Sequence, residues 1–163
     1  MEPKYTISIL VNNKPGVLMR LAQTFARRGY NIDSLVVSAA HNPQFSRITV
    51  VTQGDPDVFD QIIKQLNKLI DVVHASHHLS GVSVERELAM FKVKAGVRER
   101  TEVFQIADVF RAKTMDITDA SLILETTGTS EKLDAMEKIL SSIGIIEMVR
   151  SGKVIMARGM GET

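Results

Sequence analysis

The sequence of 163 residues has no cysteine and no tryptophan. Without Cys there can be no disulfide, no thiol nucleophile and no Cys-ligated zinc, and a reducing, cytoplasmic setting is expected. Aromatic residues make up only 5% of the chain, which leaves little to stack nucleic-acid bases on an open sheet. Neither sign of charge dominates: 20 Lys and Arg face 19 Asp and Glu, for a net charge of +1. That balance gives no global attraction to nucleic acid or to an anionic membrane. No apolar run approaches the roughly 20 residues of a membrane span, and Met1-Glu2-Pro3-Lys4 does not begin a basic-then-apolar signal segment. What is present is an ordinary globular balance, 44% hydrophobic and 24% charged, in a length that suits one domain or two small ones.

Tyr5, Ile7, Ile9 and Val11 alternate and predict a strand. Val17 to Arg28 carries Leu18, Leu21, Ala22 and Phe25 at helical spacing, and Gly29 stops it. Ile32–Ala39 and Ser46–Gln53 read as strands around the turn His41-Asn42-Pro43-Gln44. Gly54-Asp55-Pro56-Asp57 is a helix start, leading to an apolar stripe of Phe59, Ile62, Ile63, Leu66 and Ile70, and Val72–Leu79 closes the unit. The order β-α-β-β-α-β then recurs. Val84–Ala95 is a strand, Thr101–Ala112 a helix, Met115–Thr118 and Ser121–Thr127 strands. A helix capped by Thr129 or Ser130 follows, and Ile145–Arg150 with Lys153–Ala157 reads as a closing hairpin about Ser151-Gly152. The expected fold is α+β, two ferredoxin-like βαββαβ domains in tandem, 1–80 and 84–163. Each four-stranded sheet would have helices on one face, and consecutive apolar residues such as Leu35-Val36-Val37 would stay exposed on the other face or at an edge. A dimer or larger assembly is therefore expected.

The candidate chemistry centres on Asn13-Lys14-Pro15-Gly16-Val17-Leu18. A glycine at the mouth of a helix leaves backbone N–H groups unshielded, in a seat sized for a carboxylate or phosphate. Gly16 and Val17 would supply the N–H groups and Asn13 a polar wall. Asn31 can approach the same end of the sheet from the following strand. The same residues also make a tight turn and a capped helix, and spacing leaves that alternative open. Other clusters carry less. His74 and His78 fall on one side of a strand about 13 Å apart and His77 on the other, too far to share a metal. Asp116 with Asp119, and Glu85 with Glu87, have no nucleophile or phosphate clamp beside them, and Arg27-Arg28 and Arg98–Arg100 read as solvated charge.

Asn13–Leu18 together with Arg28-Gly29-Tyr30-Asn31-Ile32 resembles the ligand loop and next strand of an ACT domain. Ser46–Val50, Lys64–Val72, Val84–Leu88, Phe110–Lys113 and Arg150–Lys153 extend the likeness over nearly the whole chain, to the regulatory small subunits of acetolactate synthase. The resemblance implies a protein with no catalytic site or cofactor of its own. Its partner would be a catalytic subunit that carries thiamine diphosphate, Mg and FAD, which it would activate and place under feedback inhibition by a branched-chain amino acid, valine foremost. It further implies a homodimer or higher, with two ACT domains side by side and the effector between them. Asn13, Gly16, Val17, Asn31 and Ile32 would form that site, with Asn31 reaching in from the partner's side and Ile32 in the wall. The second unit carries no effector motif. Two other readings remain on the same scaffold. One is a stand-alone amino-acid-sensing ACT protein that regulates another enzyme, transcription or RNA, and the other a small phosphatase of acylphosphatase type.

Overall fold

The computed structural model describes residues 4–78 and 81–163. In chain order the elements are β1 (Lys4–Asn12), α1 (Val17–Arg27), β2 (Ile32–Ala39), β3 (Phe45–Gln53), α2 (Pro56–Leu66) and β4 (Val72–His78). There follow β5 (Ser83–Lys94), α3 (Arg100–Phe110), β6 (Lys113–Ile117), β7 (Ser121–Gly128), α4 (Ser130–Ile143), β8 (Ile145–Arg150) and β9 (Val154–Ala157). Leu79 and Ser80, expected to end a strand and open the linker, lie outside the described residues. The order of elements gives two sheets with the same topology, β2-β3-β1-β4 and β6-β7-β5-β8. The α+β architecture with a repeated βαββαβ pattern is thus the one the periodicity indicates.

The chain forms two compact units, Met1–Val84 with Lys153–Thr163, and Glu85–Gly152. The closing segment Lys153–Thr163 thus groups with the first unit, and the division between the two units falls at Val84–Glu85, beside the linker expected near Ser80–Ser83. The expected terminal hairpin is corrected. β8 and β9 both pair with β5, because Ser151 continues the ladder instead of turning. Its N–H donates to the Leu88 carbonyl at 2.9 Å, and its Oγ accepts from the Leu88 N–H at 3.0 Å.

In the first unit Ile7, Ile9 and Val11 of β1 meet Ile48 and Val50 of β3, Leu21 and Phe25 of α1, and Phe59, Ile62 and Leu66 of α2, all buried. Tyr5 stacks on Phe59 with ring centroids 3.8 Å apart, and His77 meets the same ring edge-on at 5.7 Å. Two residues expected on the buried helix stripes lie outside the core. Leu18 is half-exposed in the first turn of α1. Ile70 is 88% exposed, because α2 ends at Leu66. Asn67 ends it, donating to the Ile63 and Ala75 carbonyls and accepting from the Ala75 N–H at 2.9 Å. That one side chain ties the helix end to β4.

On the sheet face away from α1 and α2, Ser8 and Thr49 are buried. Arg47 spans this face, donating to Ser8 Oγ at 3.2 Å and to the Thr163 carbonyl. The face expected to lie open is therefore largely closed. The β2 edge is not: Leu35 and Val37 are 38% and 45% exposed.

The second core gathers Ala89, Phe91 and Val93 of β5, Leu122 and Leu124 of β7, Val103 and Ala107 of α3, and Leu133, Met136 and Leu140 of α4. Phe91 has no exposure and Tyr5 is stacked in the first core, so neither aromatic is available to a base. Glu87, considered above with Glu85, is committed to structure. Arg150 donates to its two oxygens at 2.9 and 2.7 Å, and Ser130 Oγ donates at 3.1 Å. The Glu87 hydrogen bonds, opposed by burial, hold the Arg150 guanidinium more firmly protonated than an ordinary arginine. Two of the sequence runs that carry the family likeness are joined by this pair. α4 begins as expected at Thr129, whose Oγ1 accepts from the Lys132 N–H at 3.4 Å. Thr129→Ala is expected to lower stability by about 1 kcal/mol, seen as a lower thermal midpoint with unchanged far-UV circular dichroism.

Candidate effector site

Gly16 is the residue before α1, at φ +83 and ψ −9, and no side chain caps the helix. An L-residue in this left-handed region bears a strain of about 1–2 kcal/mol. Glycine bears none, and it leaves the first amides of the helix uncovered. A Cβ built at Gly16 would meet only Arg20 Nη2, at 4.0 Å. Val17 is buried beneath the turn, its N–H 3.5 Å from the Lys14 carbonyl, a long contact that commits the donor weakly. Asn13 is exposed beside the β2–β3 turn. Its N–H donates to the Gln44 carbonyl at 2.8 Å and its Nδ2 to the Pro43 carbonyl at 3.1 Å.

Asn31 and Ile32 lie elsewhere. α1 carries the chain back along β1, so β2 starts at the opposite end of the sheet. The registers fix this: Ile32 opposes Thr52, which opposes Tyr5, whereas Asn12 at the loop end opposes Phe45. At about 3.4 Å per residue, the seven steps from Tyr5 to Asn12 span about 24 Å. The expectation that Asn31 approaches the Gly16 end within one chain is therefore corrected. The two groups cannot touch one amino acid from the same copy.

The Asn31 end is firmly built. Tyr30 packs over Gly54, where a Cβ would lie 2.3 Å from its ring, and its hydroxyl donates to the Asp55 carbonyl at 2.6 Å. Thr52 Oγ1 donates to the Asn31 carbonyl at 2.6 Å. The Asn31 side chain is exposed, with Nδ2 3.2 Å from Asp33 Oδ1, and Ile32 packs partly against the first core. Among the described residues no group of three or more His, Asp or Glu is placed to hold a metal, and no helix is long and apolar enough to cross a membrane.

One feature of the site has no local signal in the sequence. Asp71, between α2 and β4, accepts from Arg20 Nη1 at 2.8 Å and lies 3.8 Å from Lys14 Nζ. The residues are 51 and 57 positions apart, and only the fold brings them together.

Residues 7–74 match the family of AHAS small subunit-like ACT domains, and residues 86–159 match the family described as the small subunit of acetolactate synthase. The chain is 45% identical over 156 residues to a probable acetolactate synthase small subunit of Archaeoglobus fulgidus, covering 96% of this chain and 98% of that one. It is 44% identical to the acetolactate synthase small subunit of Mycolicibacterium smegmatis, covering 96% and 92%. The crystal structure of the small subunit from Thermotoga maritima superposes with a TM-score of 0.86 at 37% identity, over 96% and 98% of the two chains. Loop, repeat and these full-length likenesses agree, and the chain belongs to the acetolactate synthase small-subunit family.

Proposed function

We propose that this protein is a regulatory subunit that receives a branched-chain amino acid at a seat shared between two copies of the chain, and so places a partner acetolactate synthase catalytic subunit under feedback control. The thiamine diphosphate, Mg and FAD chemistry belongs to that partner. In this reading the present chain contributes no catalytic group.

The observation that carries the reading is the separation of Gly16 from Asn31 by the length of the sheet. An amino acid has one carboxylate, one ammonium and a small aliphatic tail. The uncovered amides at Gly16 and Val17 suit the carboxylate, an Asn side chain suits the ammonium, and Ile32 suits the tail. One chain offers these at two ends, but a two-fold pair brings them together. β2 runs parallel to β1, so its last residue, Ala39, lies at the Asn13 end. If two β2 edges pair antiparallel, the start of β2 in the second copy lies beside Ala39, and Asn31 of that copy faces the Gly16 loop. The exposed Leu35 and Val37 give the edge a reason to be covered. Binding across the pair then couples effector occupancy to how the copies dock, and inhibition follows from differential affinity for one arrangement. The proposed domain assignment is an ACT effector domain at 1–80 and a C-terminal ferredoxin-like regulatory-subunit domain at 84–163.

The test is reconstitution with the purified catalytic subunit. Added protein is expected to raise acetolactate formation, and valine to reverse the gain. No change in activity at saturating protein, with or without valine, leucine or isoleucine, would sink the proposal.

A further inference from the structure

We propose that Asp71 is the positioning residue of the effector loop, holding both stems of Asn13–Gly16 and orienting Arg20 beside the seat where the amino-acid carboxylate is received. The inference rests on the effector reading above and names a residue which that reading does not include.

Asp71 grips the loop from both sides. On the strand side, its carbonyl accepts from the Asn12 N–H at 2.8 Å, and its carboxylate lies 3.5 Å from Asn12 Nδ2. On the helix side, its carboxylate accepts from Arg20 in the first turn of α1 at 2.8 Å, with Lys14 of the loop at 3.8 Å. The Asp71 side chain is 12% exposed, against 55% for Arg20 and 66% for Lys14. The carboxylate is thus the fixed member, and the two cations come to it.

Packing and the ion pair act at different depths. Beneath the surface Val17 of α1 and Val72 of β4 are both buried in the first core, with Leu69 packed against it. Above them an open, shallow depression separates the first turn of α1 from the α2–β4 connection, and across it the Arg20–Asp71 contact fixes the direction of the Arg20 side chain. Gly16 itself has no side chain with which to brace the turn. The guanidinium also flanks the seat, since the Cβ position of Gly16 is 4.0 Å from Arg20 Nη2.

The sign of the effect separates this role from simple electrostatics. Removing an anion beside a carboxylate seat would tighten effector binding if only charge mattered. If Asp71 positions the loop, its neutralisation weakens binding. Asp71→Asn is expected to reduce valine affinity roughly tenfold, the scale of one charge-assisted hydrogen bond. Arg20→Gln is expected to cost about the same, and the double variant no more than either alone, because the two act as one unit.

The experiment is calorimetric titration of L-valine into the full-length wild-type protein, both single variants and the double variant. It is paired with amide hydrogen exchange across residues 12–20 in the absence of valine. Weaker binding with a non-additive cycle and faster exchange in Asp71→Asn support the proposal. Unchanged or tighter binding in both single variants overturns it while leaving the effector reading intact, and so does unchanged exchange. If Asp71→Asn does not fold, amide exchange of Arg20→Gln across residues 12–20 without valine decides: faster exchange supports the proposal and unchanged exchange overturns it. Absence of valine, leucine and isoleucine binding in the wild type overturns the effector reading and this proposal together.

Discussion

Gly16→Asp is expected to abolish effector binding while the protein still folds and still activates its catalytic partner. The backbone at Gly16 lies at φ +83, so any L-residue there is strained by about 1–2 kcal/mol. That is a tolerable fraction of a typical domain stability. The new Cβ meets open space apart from Arg20 at 4.0 Å, and no core residue has to move. The new carboxylate, however, lies at the uncovered amides of α1 and within reach of Arg20, where it takes the place of the effector carboxylate and repels it. Valine affinity is expected to fall by more than about a hundredfold, with a thermal midpoint a few degrees lower. Titration calorimetry and a melting curve on one preparation separate the two effects. Retained affinity in a folded variant would remove Gly16 from the site.

The second large effect is expected at the β2 edge. Leu35 opposes Val50 and Val37 opposes Ile48, so both side chains share the helix-facing side of the sheet. Yet they remain 38% and 45% exposed, because α1 and α2 do not reach the outermost strand. The double variant Leu35→Glu/Val37→Glu places like charges opposite one another across a two-fold strand pair. Like-charge contacts of this kind cost several kcal/mol, so dimer dissociation should rise by at least about a hundredfold. Sedimentation velocity is expected to show a monomer at micromolar concentration. Valine binding should be lost with the dimer, although both substitutions leave the Gly16 loop intact. A variant that stays dimeric would place the partner copy elsewhere.

Much of the fold is legible in the sequence because local signals and burial agree. The alternation of Tyr5, Ile7, Ile9 and Val11 is the inward face of β1. Asp55-Pro56 does start α2 and Thr129 does cap α4. Errors arise where a side chain interrupts a regular pattern. The helical spacing to Ile70 continues beyond the point where Asn67 ends the helix. Ser151 looks like a turn residue but extends the β8 ladder along β5. Lys153–Thr163 rejoins the first unit with nothing in its composition to announce it.

The candidate site is legible in part for the same reason. The Gly16 turn and Asn31 stand out as motifs, but which end of the sheet each occupies depends on the direction in which α1 returns the chain. Asp71 carries no local signal, because its partners Asn12, Lys14 and Arg20 are distant in sequence.

The central claim is that one effector seat is built from Gly16 of one copy and Asn31 of another. Mixing two disabled chains tests it most directly. Gly16→Asp and Asn31→Ala proteins, each unable to bind valine alone, are co-refolded and titrated. In a mixed dimer both lesions fall in one seat and the other seat is intact, so valine binding is expected to return, at wild-type affinity and reduced stoichiometry. A mixture that forms mixed dimers and still fails to bind would show that Gly16 and Asn31 do not complete each other across the pair.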